Sequence, residues 1–168
     1  LANDLETICQ NFGGENIAAC IVEPIAGSTG TLVPPKGYLQ KLRQICDKHG
    51  ILLIFDEVIT GWGRTGSKFG AHEFGVTPDI MTMAKATTNG VVPMGVVACN
   101  DYIYDAVMDS SPMGSVELFH GYTYSGIPVA VAAALAVQDI FEKEDIFNRA
   151  KNLAPYFQKG LFSLQDLE

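Results

Sequence analysis

Four short and mostly apolar segments constrain the fold of this chain more than any other feature. They cover residues 17–22, 51–55, 79–84 and 95–99, and segments with apolar residues at helical spacing alternate with them. The runs at 17–22 and 51–55 predict strands that are buried on both faces of a sheet, and the other two segments predict further strands. Because strands and helices alternate, we predict an α/β chain with a mainly parallel sheet and helices on both faces.

The predicted helices have recognisable ends. The first covers about residues 1–12 and ends at Gly13, and the second begins near Tyr38 and ends at Gly50. Ser125 is predicted to cap an alanine-rich helix that runs to about Phe141. The inner stripe of a last predicted helix consists of Ile146, Phe147, Ala150, Leu153, Phe157 and Leu161.

Length and composition indicate one globular domain. The 168 residues are 48% hydrophobic and 18% charged, a balance that is typical of a packed core. The formal net charge of -8 disfavours nucleic acid or an anionic membrane as a partner. The longest apolar stretch, residues 127–137, is shorter than the roughly 20 residues that span a bilayer. Four widely spaced cysteines without a C-x-x-C pair fit a reducing cytoplasm.

Polar side chains follow all four predicted strands. Glu23 comes after the first strand, Asp56 and Glu57 after the second, Lys85 after the third and Asn100 after the fourth. Ligands of open α/β sheets bind at the carboxyl ends of the strands. The sequence therefore predicts a functional site among these residues.

Asp56 and Lys85 together have the chemistry of a pyridoxal-phosphate (PLP) site. PLP enzymes need a lysine that forms a Schiff base with the cofactor and an acid that keeps the pyridinium nitrogen protonated. Lys85 follows the mostly apolar residues 80–84, so we expect its amine to be partly desolvated, which favours the neutral and nucleophilic form. For Lys85 taken alone, a side chain that extends into solvent is the simpler interpretation.

Residues 52–57 and 61–68 offer a second interpretation. The strand LLIFDE resembles a Walker B element and GWGRTGSK superficially resembles a Walker A loop, as in P-loop ATPases. A Walker A loop has lysine directly after its second glycine and a hydroxyl next, whereas here Ser67 precedes Lys68. The glycine loop also follows the acidic strand instead of preceding it. We therefore disfavour an ATPase.

The segment HGYTYSG, residues 120–126, precedes the alanine-rich helix. Its hydroxyl groups and the helix N-terminus can hold an anion such as phosphate. A capping turn explains the pattern equally well. The three histidines, His49, His72 and His120, show no metal-ligand spacing, so no metal site is predicted.

Five motifs occur in one order along the chain: VEPIAGSTG (22–30), LLIFDEVITGWGRTG (52–66), PDIMTMAK (78–85), TNGVVPMG (88–95) and HGYTYSG (120–126). Together they resemble the class III, or omega, PLP-dependent aminotransferases, and within that family the beta-alanine:pyruvate (omega-amino acid:pyruvate) type. The resemblance runs through essentially the whole chain. It implies a fold-type-I enzyme with a mainly parallel, seven-stranded sheet, in which residues 1–168 are part of the PLP-binding large domain.

The resemblance also implies roles for individual residues. Lys85 matches the lysine that forms the Schiff base (the internal aldimine), and Asp56 matches the partner of the pyridine nitrogen. Val58 matches a side chain that packs against one face of the ring. Thr123 matches a threonine that binds the phosphate of the neighbouring subunit's cofactor, which implies a homodimer or homotetramer. Glu23 matches an acidic residue that supports the Asp56 region.

The implied activity is transamination. An amino group passes from an omega-amino acid or amine, such as beta-alanine, to a keto acid such as pyruvate, with PLP held on Lys85. Ile59 and Ser28 stand where the ornithine and gamma-aminobutyrate branches usually carry Gln and Glu, which favours the omega-amino acid:pyruvate type. An aminomutase or racemase of the same fold would share Lys85 and Asp56, and a dimer-forming protein without catalysis is a further alternative.

Members of this family are considerably longer than 168 residues, and the chain begins with Leu1 instead of Met. We therefore expect that an N-terminal segment with a phosphate-binding loop lies outside this sequence. The same holds for a C-terminal small domain with an arginine for the substrate carboxylate. Such a fragment would carry only part of the site and is expected to be inactive alone.

Overall fold

The computed structural model describes residues 1–113, 115, 118 and 120–166. Its four strands are β1 (Ala19–Val22), β2 (Leu52–Asp56), β3 (Ile80–Met83) and β4 (Val96–Cys99). They form one sheet in the order β1-β2-β3-β4. The first two pairs are parallel and the pair β3/β4 is antiparallel. The prediction of a mainly parallel α/β sheet is therefore confirmed.

Six α-helices accompany the sheet over the described residues: α1 (Ala2–Phe12), α2 (Tyr38–His49), α3 (Gly70–Phe74), α4 (Asp101–Asp109), α5 (Pro128–Lys143) and α6 (Ile146–Phe162). Short 3₁₀ turns cover Gly14–Asn16, Lys85–Thr87 and Ser163–Asp166. As predicted, α1 ends at Gly13 and α2 ends at Gly50. None of the described helices is long and apolar enough to cross a membrane.

The core lies between one face of the sheet and the helices α1 and α2. Leu53 and Phe55 of β2 are completely buried and pack against Leu39 and Ile45 of α2 and Cys9 of α1. Successive residues of a strand point to opposite faces, so Leu52, Ile54 and Asp56 lie on the other face. The core therefore fixes which side of β2 presents Asp56.

The second face of the sheet is less covered than the sequence predicts. Ile21 of β1 and Val97 of β4 lie on this face and are 62% and 70% exposed. The prediction of a strand buried on both faces is therefore wrong for β1, and the prediction of a sheet covered on both faces is wrong at β4. The reason is that α1 and α2 both pack on the opposite face, where the buried side chains of β2 lie.

Two predictions about the last helices are also wrong. Ser125 does not cap α5, because the helix begins at Pro128 and its N-cap residue is Ile127. The Ser125 hydroxyl instead accepts a hydrogen bond from the Tyr122 amide, at 3.0 Å, within the preceding turn. The predicted inner stripe of α6 is wrong for its second half, because Leu153, Phe157 and Leu161 are exposed. Its first half, Ile146, Phe147 and Ala150, is half-buried.

Candidate functional site

The parallel strands bring three of the predicted site residues together at the carboxyl ends of the strands, here called the edge of the sheet that carries the site. Asp56 is the last residue of β2 and pairs in register with Thr82 of β3. Lys85 follows Thr82 by three residues, which is at most about 10 Å of extended chain. Glu23 follows Val22, the register partner of Phe55. Glu23, Asp56 and Lys85 therefore lie at the carboxyl ends of adjacent strands, as the sequence predicts.

Asn100 lies at the opposite end of the strands, away from Asp56 and Lys85. Its backbone N–H donates to the carbonyl of Asp79, at 3.0 Å, beside the beginning of β3. The reason is that β4 runs antiparallel to β3, so the carboxyl end of β4 meets the amino end of β3. The prediction that Asn100 belongs to the same site is wrong.

The Asp56 carboxylate is half-buried and held by the chain that follows it. Its Oδ1 accepts a hydrogen bond from the backbone N–H of Val58 at 3.0 Å. This contact orients the carboxylate at the end of β2 and leaves acceptor positions for a further donor. Asp56 is therefore a fixed acceptor on the open face of the sheet.

Lys85 begins a 3₁₀ turn, Lys85–Thr87, directly after β3. Its backbone has φ 45°, in the left-handed region that costs a residue with a Cβ atom about 1 kcal/mol or more. The side chain is exposed in the described structure. The predicted desolvation of its amine is wrong, because the apolar residues before it belong to β3 and do not cover the side chain.

Val58 lines a cavity of about 540 Å³ beside the end of β3. Thr82 and Ala84 form another part of its wall, and Tyr122 and Tyr124 approach it from the turn before α5. Thr123, between these tyrosines, is exposed. Val58 is thus close to the Asp56–Lys85 edge, and Thr123 is accessible from outside the chain.

Glu23 supports the loop that follows β1. Its Oε2 accepts a hydrogen bond from the Gly27 amide at 2.9 Å, and the side chain is half-buried. This contact closes the loop over residues 23–27 beside Asp56.

Glu57 is a structural residue next to the site, for which the sequence predicts a position at the strand end but no particular role. It is completely buried, and its carboxylate accepts hydrogen bonds from the amides of Gly70 and Ala71, at 2.8 and 2.7 Å, and from the Thr60 hydroxyl. The Glu57 amide donates to the Thr82 carbonyl at 2.9 Å. Glu57 thus joins the ends of β2 and β3 to the start of α3. The alternation of side chains along β2 could have revealed it, because Glu57 must point to the core face if Asp56 points away.

Ser28 and Ile59, the two positions that depart from other branches of the resemblance, line one cleft of about 410 Å³. Gly27 fits tightly here, since a Cβ atom at this position would lie 2.7 Å from Cδ1 of Ile59. Thr60 and Arg64 complete the same cleft. The two positions are therefore neighbours in space although they are 31 positions apart in the sequence.

Asp79 forms a separate polar group at the amino end of β3. Its Oδ2 accepts hydrogen bonds from the Leu53 amide at 2.7 Å and from Arg43 at 2.8 Å. Burial opposes ionisation of Asp79, but the Leu53 amide and the Arg43 guanidinium outweigh it and hold the pKa of this carboxyl below its ordinary value. This ion pair fastens α2 to the sheet on the side away from Lys85.

Comparison with known proteins identifies the family of this chain. Residues 1–168 match the family model of class-III aminotransferases. The chain is 58% identical over 166 residues to an omega-aminotransferase of Caulobacter vibrioides, with 99% of this chain and 38% of that protein covered. It is 55% identical over 166 residues to a beta-alanine–pyruvate aminotransferase of Pseudomonas aeruginosa, with 98% and 37% covered. The chain belongs to the class-III aminotransferase family.

Solved structures agree with this family. An (S)-enantioselective omega-transaminase from Thermomicrobium roseum superposes with a TM-score of 0.91 at 43% identity, covering 99% of this chain and 36% of that one. An omega transaminase from Pseudomonas jessenii, in complex with PMP, gives a TM-score of 0.93 at 39% identity, covering 99% and 36%. The predicted fold is confirmed and the ATPase interpretation is wrong. The chain spans about two-fifths of the length of the relatives it matches.

Proposed function

We propose that this chain is part of the PLP-binding large domain of an omega-amino acid:pyruvate aminotransferase. The observation that carries the proposal is the position of Asp56 and Lys85 at adjacent strand ends of one sheet edge, in a chain of the class-III family. Relatives named beta-alanine–pyruvate and omega-amino acid–pyruvate aminotransferase, at 55% and 51% identity, support the substrates.

The residues at this edge fit PLP chemically. Lys85 offers an exposed amine that can bond to an aldehyde carbon, and Asp56 offers a fixed carboxylate for a ring N–H. Val58 is an apolar side chain beside them, on the wall of a cavity of about 540 Å³. PLP supplies an electron sink for the bond that breaks at the substrate carbon.

In the proposed reaction the residues at this end of the sheet have different roles. The Lys85 amine would hold the cofactor covalently and, when free, would accept the proton that leaves the carbon bearing the amino group. The Asp56 carboxylate keeps a proton on the ring nitrogen, because an adjacent negative charge favours the protonated form. Val58 packs against one face of the ring. Glu23 holds the 23–27 loop beside Asp56.

Thr123 has a different task, because it is exposed and lies on a turn that faces outwards. We assign it to the cofactor phosphate of a neighbouring subunit in a homodimer or homotetramer. The remaining groups, including an arginine for the substrate carboxylate, are assigned to sequence outside these 168 residues. The four free cysteines of the described structure favour a reducing compartment, the cytoplasm.

The cleft that contains Ser28 and Ile59 is proposed to help select the amino donor. Both side chains differ from those of the ornithine and gamma-aminobutyrate branches, and neither is acidic or an amide. In those two branches the glutamate at the position of Ser28 is the usual partner of an arginine that switches between two positions. Ser28 has no carboxylate that could bind such an arginine. This favours donors of the beta-alanine and amine type.

The central test uses the full-length protein that carries this segment. Borohydride reduction after incubation with PLP, followed by peptide mapping, is expected to place a phosphopyridoxyl group on Lys85. Lys85→Ala is expected to lose the label and the activity. Asp56→Ala is expected to keep the label but to lower kcat at least about 100-fold, because the ring nitrogen loses its charge partner.

Lys41→Ala, which removes an exposed lysine on α2, is the matched control and should retain both label and activity. A label on another lysine, or full turnover by Asp56→Ala, would contradict the assignment of these residues. Incubation with beta-alanine and carbon-labelled pyruvate separates the aminotransferase from an aminomutase, a racemase or a protein without catalysis. Only the aminotransferase converts labelled pyruvate into labelled alanine, because an aminomutase would form alanine from the carbon skeleton of beta-alanine itself.

A further inference from the structure

The turn that carries Lys85 is tethered from outside by a tryptophan. The indole N–H of Trp62 donates a hydrogen bond to the hydroxyl of Thr87 at 2.9 Å. Thr87 is the last residue of the Lys85–Thr87 turn and is only 3% exposed. Trp62 belongs to the glycine-rich loop over residues 61–66, so this bond joins two segments that are 25 residues apart.

Thr87 also closes the 3₁₀ turn that contains Lys85. Both its amide and its hydroxyl donate to the carbonyl of Ala84, each at 3.0 Å. The hydroxyl therefore uses its hydrogen for Ala84 and one oxygen lone pair for Trp62. Lys85 lies inside this closed turn with φ 45°, a backbone conformation that persists only where surrounding contacts hold it.

Trp62 is itself held rigidly. Its own φ is 62°, and its ring packs edge-to-face against Phe69 with ring centroids 4.9 Å apart. Phe141 of α5 lies on another side at 6.0 Å, and Phe147 of α6 contacts Phe141 at 5.4 Å. An indole fixed in this way is a stable anchor for a turn whose first residue is exposed.

We propose that Trp62 is a positioning residue for Lys85, acting through the Thr87 hydroxyl. The Trp62–Thr87 hydrogen bond, here called the tether, holds the Lys85–Thr87 turn after β3. The Lys85 side chain therefore begins at the strand end next to that of Asp56. This inference rests on the proposed function of Lys85 as the cofactor-binding lysine.

The test compares four variants of the full-length protein. Trp62→Phe removes the indole N–H but keeps an aromatic ring for Phe69 and Phe141. Thr87→Val removes the hydroxyl at nearly constant shape, and Thr87→Ser keeps the hydroxyl. The double variant of Trp62→Phe and Thr87→Val completes the cycle, because both single changes delete the same bond.

Hydrogen–deuterium exchange of the protein without PLP is the first measurement. Trp62→Phe is expected to accelerate exchange of peptides over residues 84–88 by about two- to tenfold, which corresponds to one net hydrogen bond. Peptides of α2 are expected to keep their exchange rates. Acceleration that is equal in α2 would show a global loss of stability and would overturn the positioning role.

The rate of PLP attachment to Lys85 is the second measurement, taken from the borohydride-trapped label against time. Trp62→Phe and Thr87→Val are each expected to slow attachment by about two- to tenfold. Thr87→Ser should restore most of the wild-type rate, and the double variant should be no slower than Thr87→Val. Additive losses in the double variant, or a Trp62→Phe rate equal to wild type, would overturn the tether.

The two proposals fail in different ways. If wild-type protein takes no label on Lys85, the proposed function fails, while the exchange experiment on the protein without PLP still tests the tether. If wild type is labelled on Lys85 and the variants match it in both measurements, only the tether fails. Should Trp62→Phe not fold, Thr87→Val against Thr87→Ser tests whether the Thr87 hydroxyl, which bonds both Trp62 and Ala84, holds the Lys85 turn. Equal rates of PLP attachment in these two variants would then overturn the positioning role.

Discussion

Asp56 and Glu57 are adjacent carboxylates with opposite surroundings. Asp56 is half-buried on the open face, whereas Glu57 is fully buried on the core face. A buried carboxylate is tolerable only if its oxygens are hydrogen-bonded, and Glu57 accepts from Thr60, Gly70 and Ala71. At the residue scale, the site is therefore supported by an acid that cannot itself meet a ligand from the open face.

Replacing Glu57 is expected to destabilise the protein strongly. Glu57→Ala leaves the amides of Gly70 and Ala71 without their acceptor, and each buried unsatisfied group costs about 1–3 kcal/mol. We expect the free energy of unfolding in urea to fall by about 3 kcal/mol, and by about 1 kcal/mol for Glu57→Gln, which keeps one acceptor oxygen. Glu73→Ala, at an exposed position on α3, is the control. A Glu57→Ala variant as stable as this control would contradict the role.

Asp79 makes a pH-dependent contribution to the stability of the fold. The pKa of this carboxyl is lower in the folded protein, so its stabilisation is fully present above the unfolded value of about 3.9 and is lost as pH falls through the lowered folded pKa. Asp79→Asn is expected to cost about 2 kcal/mol at pH 7. In urea titrations the difference in free energy of unfolding between wild type and Asp79→Asn should stay constant between pH 7 and 5 and shrink below pH 4.

The exposed pair Asp139–Lys143 gives the matched control, because its aspartate is 68% exposed. Asp139→Asn should change stability by no more than about 0.5 kcal/mol at any of these pH values. If the difference in free energy of unfolding between wild type and Asp79→Asn widens on acidification, folding raises the pKa of the Asp79 carboxyl instead of lowering it.

At the element scale, the end of α2 makes a simple test of backbone conformation. Gly50 ends this helix with φ 69° and ψ 28°, and a Cβ atom at this position would meet nothing within 4 Å. Gly50→Ala is therefore expected to lower the free energy of unfolding by about 1 kcal/mol through backbone strain alone. Gly50→Asn should cost less, because asparagine tolerates this conformation. Equal urea midpoints for the two variants would contradict this explanation.

The elements themselves were largely predictable from sequence. Apolar runs located the four strands, and Gly13 and Gly50 located the ends of α1 and α2, because these signals depend on local chain geometry. The position of Asn100 was not predictable in this way, since it depends on β4 being antiparallel to β3. The same applies to Lys85, whose exposure depends on which tertiary neighbours cover the turn after β3. The Trp62–Thr87 bond joins two loops and leaves no periodic signal.

At the scale of the whole molecule, the apolar surface is asymmetric. One face of the sheet is covered by α1 and α2, while Ile21 and Val97 are exposed on the other, and Phe157 and Leu161 are exposed on α6. Within the described residues, β1 and β4 also form the two edges of the sheet. Exposed apolar sheet faces and free edges favour association between chains. Neither feature was apparent from composition, which is that of an ordinary globular domain.

The 168-residue chain produced alone is therefore expected to self-associate. In size-exclusion chromatography with light scattering it should elute above the mass of a monomer, and it should bind the dye ANS. Ile21→Lys and Val97→Lys place charges on the open face and are expected to shift the distribution towards monomer, because charged residues on strands oppose pairing between chains. Val91→Lys, at an exposed turn residue, is the control and should leave the distribution unchanged. A monomer without ANS binding would show that the open face is stable in water, and the four-stranded sheet would then be a complete folding unit.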